Sequence, residues 1–368
     1  MVTEARTGKM PKQISYIVGN EAAERFSFYG MRSILVIFMT QYLFLKEHQA
    51  KEVFHLFAFA NYFIPVFGAI LADRFLGRYK TILYLSIFYC VGHGILALFE
   101  SELGLYAGLF FIAVGSGGIK PCVSALVGDQ FNRSNDHLLD QVYSIFYFSI
   151  NFGSFFSTLL IPWTLKAYGP GVAFGIPGIL MGVATLIFWL GRKEYVVVPP
   201  SGEGSQFLSV IGYALTHQKD RKPGQRFLEV AEQKFSKEKV RGVQAVLSIF
   251  AVFVATTGFW ALYDQHGASW VLQAEKMDRE VWGFHLESSM IPAINPILVM
   301  TLLPLFSFVV YPWIEKLGIK TTPLRKMGAG MVLIAVSFFW VGFLQSRIDL
   351  GEQISVVWQL GAWVILTA

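Results

Sequence analysis

Glu21, Glu24, Arg25 and Arg32 lie close together in "GNEAAERFSFYGMR", and a long apolar run follows them directly. Acids and bases packed this closely can hand over a proton or grip a charged ligand. At 100° per residue, Glu21, Glu24, Arg25, Phe28 and Arg32 fall within about 60° either side of one line along a helix. The charges therefore form one face, with Tyr29 at its edge and apolar residues opposite. Glu21 and Arg25 have the acid-before-base i, i+4 spacing that favours a helix. A charge at the centre of a membrane helix costs about 2.5–3.5 kcal/mol on insertion scales, so this stripe must face a protein interior or a water-filled cavity. A buried salt bridge that only locks helices together is the plainer alternative.

Further polar side chains interrupt later apolar runs. Lys120 lies within "GSGGIKPCVSALVG", with apolar or small residues on both sides. A lone buried lysine needs an acid, and Glu21 and Glu24 are available. A phosphate-binding loop is excluded, because no strand precedes the glycines and the Gly-Lys-Ser/Thr order is absent. His55 and Tyr62 share a face of the second run. His55 reads either as a proton acceptor, since histidine titrates near neutrality, or as an interfacial histidine. Asp264 ends the run "FWALYDQHG", with Trp260 one turn earlier on the same face. Asp264 reads as a cap or solvated acid, or as a partner for His55 across the molecule. Asn151 and Asn295 are amides in apolar runs and need partners, either other helices or a ligand. Tyr147 precedes Asn151 by one turn and shares its face. His93 and His266 carry blander readings. No nucleophile–base pair or metal-ligand cluster is evident, which argues against an enzyme.

The elements that must position these groups follow from composition. The 368-residue chain is 54% hydrophobic and 15% charged, with a mean hydropathy of +0.50. That leaves too little polar surface for a soluble domain. Apolar runs of about 18 residues or more recur, so the chain reads as an all-α, polytopic membrane protein. Ten spans are expected, at 14–44, 54–73, 79–99, 104–127, 139–164, 170–191, 243–264, 290–314, 326–345 and 354–368. The last is short of the roughly 20 residues a crossing needs, which suggests a chain truncated within its tenth span. A cleavable signal peptide is not expected, because the start is polar and the first apolar run is too long. Cys90 and Cys122 both fall in apolar runs and suggest no disulfide framework.

Loop charges set the orientation. With a cytoplasmic N-terminus, 21 of the 30 Lys and Arg residues fall on the cytoplasmic side: Arg6 to Lys12, Arg74 to Lys80, Arg133, ten between Arg192 and Arg241, and Lys316 to Lys326. This fits the positive-inside rule and accounts for a pI near 9 without nucleic acid. The organisation expected is an N-terminal six-helix bundle at 1–192, a cytoplasmic linker at 193–241, and a partial C-terminal bundle at 242–368. Within the linker, "VVVPPSGEGS" reads as coil. "QRFLEVAEQKFSKEKV" reads as an amphipathic surface helix with Phe227, Leu228, Ala231 and Phe235 along one side. "ADRFLGRYKTI" after the second span is echoed weakly by "IEKLGIKTTPL" after the eighth, as in the internal repeats of transporters.

Several of these stretches together resemble one family. "EAAERFSFYGMR" resembles the ExxERFxYYG motif of proton-dependent oligopeptide transporters, the peptide branch of the major facilitator superfamily. "FYFSINFGSFFS" resembles the FYxxINxGS signature of the fifth helix. "GAILADRFLGRYKTI" resembles the superfamily loop motif, and "GSGGIKPCVS" and "FWALYDQHGASW" resemble the fourth and seventh helices. The resemblance implies a major facilitator fold of 6 + 6 helices and proton-coupled symport of di- and tripeptides by alternating access. It implies proton coupling through Glu21, Glu24 and Arg25, and carboxylate recognition through Arg25, Arg32 and Lys120. It also implies substrate contacts from Tyr29, Tyr62 and Trp260, amine recognition by Asn151 and Asn295, and a seventh-helix acid at Asp264. His55 matches a histidine that only some members have. Phe28 departs from the motif, replacing the first tyrosine of the usual pair. The family also has a tenth-helix acid that binds the peptide amine, and the chain stops just before its expected place.

The resemblance further implies protons as the coupling ion without a cofactor, a multi-pass bacterial inner-membrane location, and a monomer in the bilayer. Rival readings are a carrier of the same fold for another anion, such as nitrate or an organic acid, and a non-transporting sensor or fragment.

Overall fold

The structure is a computed structural model that describes residues 9–200, 206–222 and 224–368. Arg6 and the 201–205 part of the expected coil lie outside the described residues. The rest is almost wholly helical. Six helices form the first half: α1 (Ile14–Ile37), α2 (Glu47–Leu71), α3 (Arg78–Leu98), α4 (Glu102–Asp129), α5 (Leu139–Tyr168) and α6 (Pro170–Leu190). A short α7 (Gln206–Thr216) precedes the second half, which holds α8 (Lys237–Tyr263), α9 (Ser269–Glu275), α10 (Ile294–Leu305), α11 (Tyr311–Lys316), α12 (Pro323–Asp349) and α13 (Val357–Thr367). A two-residue hairpin, β1 (Glu280–Val281) with β2 (Phe284–His285), sits between α9 and α10.

Local chemistry explains several boundaries. Ser101 caps α4 by accepting from the Gly104 amide at 3.1 Å, and Ser236 caps α8 by accepting from Lys239. Gly77, at φ +76°, makes the tight turn from α2 into α3, a conformation that glycine adopts without a Cβ penalty. Where α2 crosses α4, a Cβ on Gly68 would stand 2.5 Å from the Gly118 Cα, so only glycine allows the approach. At the same end as Gly77, Arg78 and Asp129 tie the start of α3 to the end of α4.

Among the described residues, seven helical segments are long and apolar enough to cross a membrane, and the pair Lys237–Val254 with Thr256–Glu275, bent by 47°, counts as an eighth if taken as one span. The chain is an integral, multi-pass membrane protein. Helix α1 is absent from that set because its charges lower its hydropathy, yet it is the most enclosed helix of the first half. Ile17, Met31, Ile34 and Leu35 are fully buried along it. The apolar core of the first half runs through α1 to α6 and takes in Ala268, Val271 and Leu272 from the second half. A second core gathers Trp270, Ile291, Val341 and Trp363.

Two expectations are corrected. The surface helix expected at 225–240 is instead a tight 3₁₀ turn, Glu229–Gln233, while the regular helix lies earlier, at α7. Leu228, Val230 and Ala231 are all drawn against Val210 and Ala214 of α7, so apolar residues point inward in a pattern that one helical stripe does not provide. The seventh span does not end cleanly at Asp264. The chain breaks there into a 3₁₀ turn, Asp264–Gly267, and resumes as α9.

Helix α1 begins at the end holding residue 9 and runs to the far end. The ionic and side-chain contacts that join the two halves gather at that far end. Those at its rim include Gln41 to Glu275 at 2.8 Å, Lys276 to Glu47 at 3.3 Å, and Lys166 to Glu287 at 2.5 Å. Gly267 lies against the Phe54 ring, where a Cβ would approach to 2.6 Å.

Candidate functional site

A cavity of about 350 Å³ opens between the halves. Helix α1 supplies its floor because residues seven apart on a helix share a face. Arg25 and Arg32 both reach it, with Phe28 and Tyr29 between them. Lys120 of α4 and Tyr62 of α2 join them from the first half, and Asn151 enters from α5. Trp260 and Asp264 from the α8 region, and Asn295 from α10, close the other side.

Behind the lining lies a buried charge cluster. Arg25 Nε donates to Glu21 Oε1 at 2.7 Å and stands 2.8 Å from Glu24 Oε2. The second contact is off the N–H direction, so Glu24 Oε2 has no aligned hydrogen bond. Glu24 Oε1 accepts from Ser116 Oγ at 3.0 Å. One guanidinium thus serves two carboxylates that are 3% and 0% exposed. Burying two acids on one cation is a costly arrangement. Lys120 departs from the expectation that it would pair with one of those acids. It makes no ion pair among the described residues, and its Nζ stands 4.2 Å from the centre of the Phe28 ring.

Seven residues further along α1 the arrangement changes. Arg32 Nη2 donates to Asp264 Oδ1 at 2.5 Å, joining the two halves, and its guanidinium lies over the Phe54 ring at 5.0 Å. Asp264 therefore pairs with Arg32 and not with His55. The physical reason is that arginine carries a permanent charge and a planar fork of donors that matches a carboxylate. His55 Nε2 is buried without a hydrogen-bond partner, and the ring meets Phe54 edge-on at 5.5 Å.

The amides divide. Asn295 accepts from the Tyr263 hydroxyl at 3.1 Å and donates to Thr367 Oγ1 at 2.9 Å. Asn151 Nδ2 donates to the Tyr147 carbonyl at 2.9 Å, and Asn151 lines the cavity. Tyr147 itself is half exposed and does not line the cavity. Tyr62 and Trp260 face each other across the halves with ring centres 6.0 Å apart.

Several lining residues were not singled out in the sequence. Asn61 lies beside Tyr62 and donates to the Phe57 carbonyl, leaving a buried Oδ1 unpaired. The rule that picked out Asn151 would have found it, since it too is an amide in an apolar run. Tyr263, and Ser116 behind the lining on Glu24, carried no signal, because one tyrosine or serine among many is unremarkable until its partner is known. His266 lines the cavity as well.

A sequence profile of the POT family matches residues 79–368. The chain belongs to the POT family. Relatives from animals support this membership over nearly the whole chain. Human solute carrier family 15 member 2 is 37% identical over 361 residues, covering 92% of this chain and 49% of the relative. Peptide transporter family 1 of Drosophila melanogaster is 36% identical, covering 92% and 48%. The chain therefore spans about half the length of the curated relatives it matches. Among solved structures, the in meso crystal structure of the POT family transporter PepTSo superposes with a TM-score of 0.90 at 43% identity, covering 98% of this chain and 81% of that one. The POT-family chain thus has the all-α major facilitator fold expected from its motifs.

Proposed function

We propose that this POT-family chain carries the proton- and peptide-binding region of a proton-coupled symporter of di- and tripeptides. The observation that carries the reading is the set of charges and amides gathered in one cavity. Arg25, Arg32 and Lys120 line it together with Asn151, Asn295 and Asp264, the last of these paired to Arg32. A short peptide is a zwitterion, so cations suit its carboxylate while amides and an acid suit its amine. Tyr29, Tyr62 and Trp260 give apolar, adaptable walls for varied side chains.

The coupling follows from Arg25 serving two acids. With both ionised, the guanidinium is held by Glu21 and Glu24. A proton on one of them loosens that hold and frees the guanidinium for the substrate carboxylate. Moving one charge inward across the membrane supplies about 2.3 kcal/mol per 100 mV. The Arg32–Asp264 pair closes the far end, and its opening admits substrate from that side. His55, half-buried next to Phe54 with its Nε2 unpartnered, is a second proton acceptor in this reading. The N-terminus lies in the cytoplasm of a bacterial cell, and the protein works as a monomer in the inner membrane, with protons as coupling ion and no cofactor.

Uptake into proteoliposomes under an imposed pH gradient tests this. A labelled dipeptide accumulates, and unlabelled dipeptides compete while nitrate and organic acids do not. Glu24→Gln reduces gradient-driven uptake at least about tenfold while counterflow exchange persists. Normal gradient-driven uptake in that variant would sink the coupling scheme.

A further inference from the structure

The buried cluster contains two cations and two acids, but only one of the cations is ion-paired. Arg25 engages both Glu21 and Glu24. Lys120 engages neither, and its nearest defined partner is the face of the Phe28 ring, 4.2 Å away. That ring cannot swing aside freely. Phe57 stacks on it at 6.1 Å, Tyr29 meets it edge-on at 5.5 Å, and Phe28 is only 5% exposed. Lys120 and Phe28 both line the cavity.

We propose that the Phe28 ring holds the Lys120 ammonium away from Glu21 and Glu24, so that Lys120 meets the cavity as an unpaired cation poised for a ligand carboxylate. Phe28 is then a positioning residue that acts through Lys120. The inference rests on the peptide reading and deepens it, by naming what sets the affinity for the carboxylate end. A cation on a ring face is held more weakly than a buried ion pair. Transferring Lys120 to a ligand is therefore easier than breaking a lysine–glutamate bridge. A tyrosine here would keep the ring face, whereas an aliphatic side chain of similar size would keep the packing and lose the attraction.

The test compares a dipeptide with its C-terminal carboxamide, by equilibrium binding to purified wild-type protein and to Phe28→Leu, Phe28→Met and Phe28→Tyr. Both aliphatic variants are expected to weaken binding of the carboxylate form by about 2- to 30-fold, with the carboxamide unchanged. Phe28→Tyr restores the wild-type preference. Equal weakening of both ligands, or an unchanged preference, overturns the proposal. If one aliphatic variant does not give monodisperse protein, the other carries the comparison.

A double-mutant cycle of Phe28→Met with Lys120→Met, read by melting temperature, needs no ligand. Non-additive shifts are expected, and additive shifts overturn the contact. A wild type that binds neither ligand refutes the peptide reading, and the cycle then decides the Phe28–Lys120 contact by itself.

Discussion

Arg25 and Arg32 lie on one face of one helix, and both pair with carboxylates, but their partners come from different places. Arg25 is held by Glu21 and Glu24 of its own helix. Arg32 is held by Asp264, 232 residues away on the other half. The first pairing is independent of how the halves sit, because its geometry is fixed by helical spacing. The second joins the two halves and so depends on how they sit. One helix thus carries a local charge cluster and a long-range contact to the other half. Having both on α1 means that a shift of that helix is felt at both.

The comparison can be broken at the local end first, where the largest effect is expected. Arg25→Met leaves Glu21 and Glu24 buried together without their cation. Removing one partner of a buried pair costs about 3–5 kcal/mol, which corresponds to a fall of roughly 6–20 °C in melting temperature. Thermal unfolding in detergent measures it, and a melt indistinguishable from wild type would show that Arg25 is not the sole counter-charge.

Asp264→Asn attacks the lock instead. It removes a charged hydrogen bond worth about 1.5–3 kcal/mol from the closed far end only. The balance between closed and open far ends therefore shifts by about tenfold or more, with little change in melting temperature. Spin labels at Lys51 and Trp282, on opposite halves at that end, should report a longer distance population in Asp264→Asn. An unchanged distribution would mean that the apolar contact of Gly267 with Phe54 seals the end without the ion pair.

The smallest effect belongs to the rim. Lys166 is 63% exposed in its pair with Glu287, and exposed pairs are worth about 0–1 kcal/mol and are screened by salt. Lys166→Ala should leave the label distances close to wild type, and raising ionic strength should remove what difference there is. A shift as large as that of Asp264→Asn would place the lock at the rim and not at Arg32.

Much of the fold was legible before any coordinates. Spans of apolar residues, broken by Gly77 and Gly169, mark helices and turns whatever surrounds them, because lipid forces backbone groups to pair within each helix. The interior placement of Glu21, Glu24 and Arg25 was legible for the same reason, since charges on one stripe cannot face hydrocarbon. The segment at 225–240 was misread. Leu228, Val230 and Ala231 pack against α7, and a short apolar pattern does not say which neighbour will cover it.

The sequence by itself determined that α1 carries a charged stripe, that Arg25 lies within reach of two acids, and that the chain has the spans of a POT-family protein. Only the tertiary structure decided who pairs with whom between helices. It gave Asp264 to Arg32 rather than to His55, and it set Lys120 on the Phe28 ring rather than on Glu21 or Glu24. Spacing within a helix is fixed by its 3.6-residue turn. Distances between helices depend on how every side chain along their contact packs, and no stretch of sequence holds that information alone.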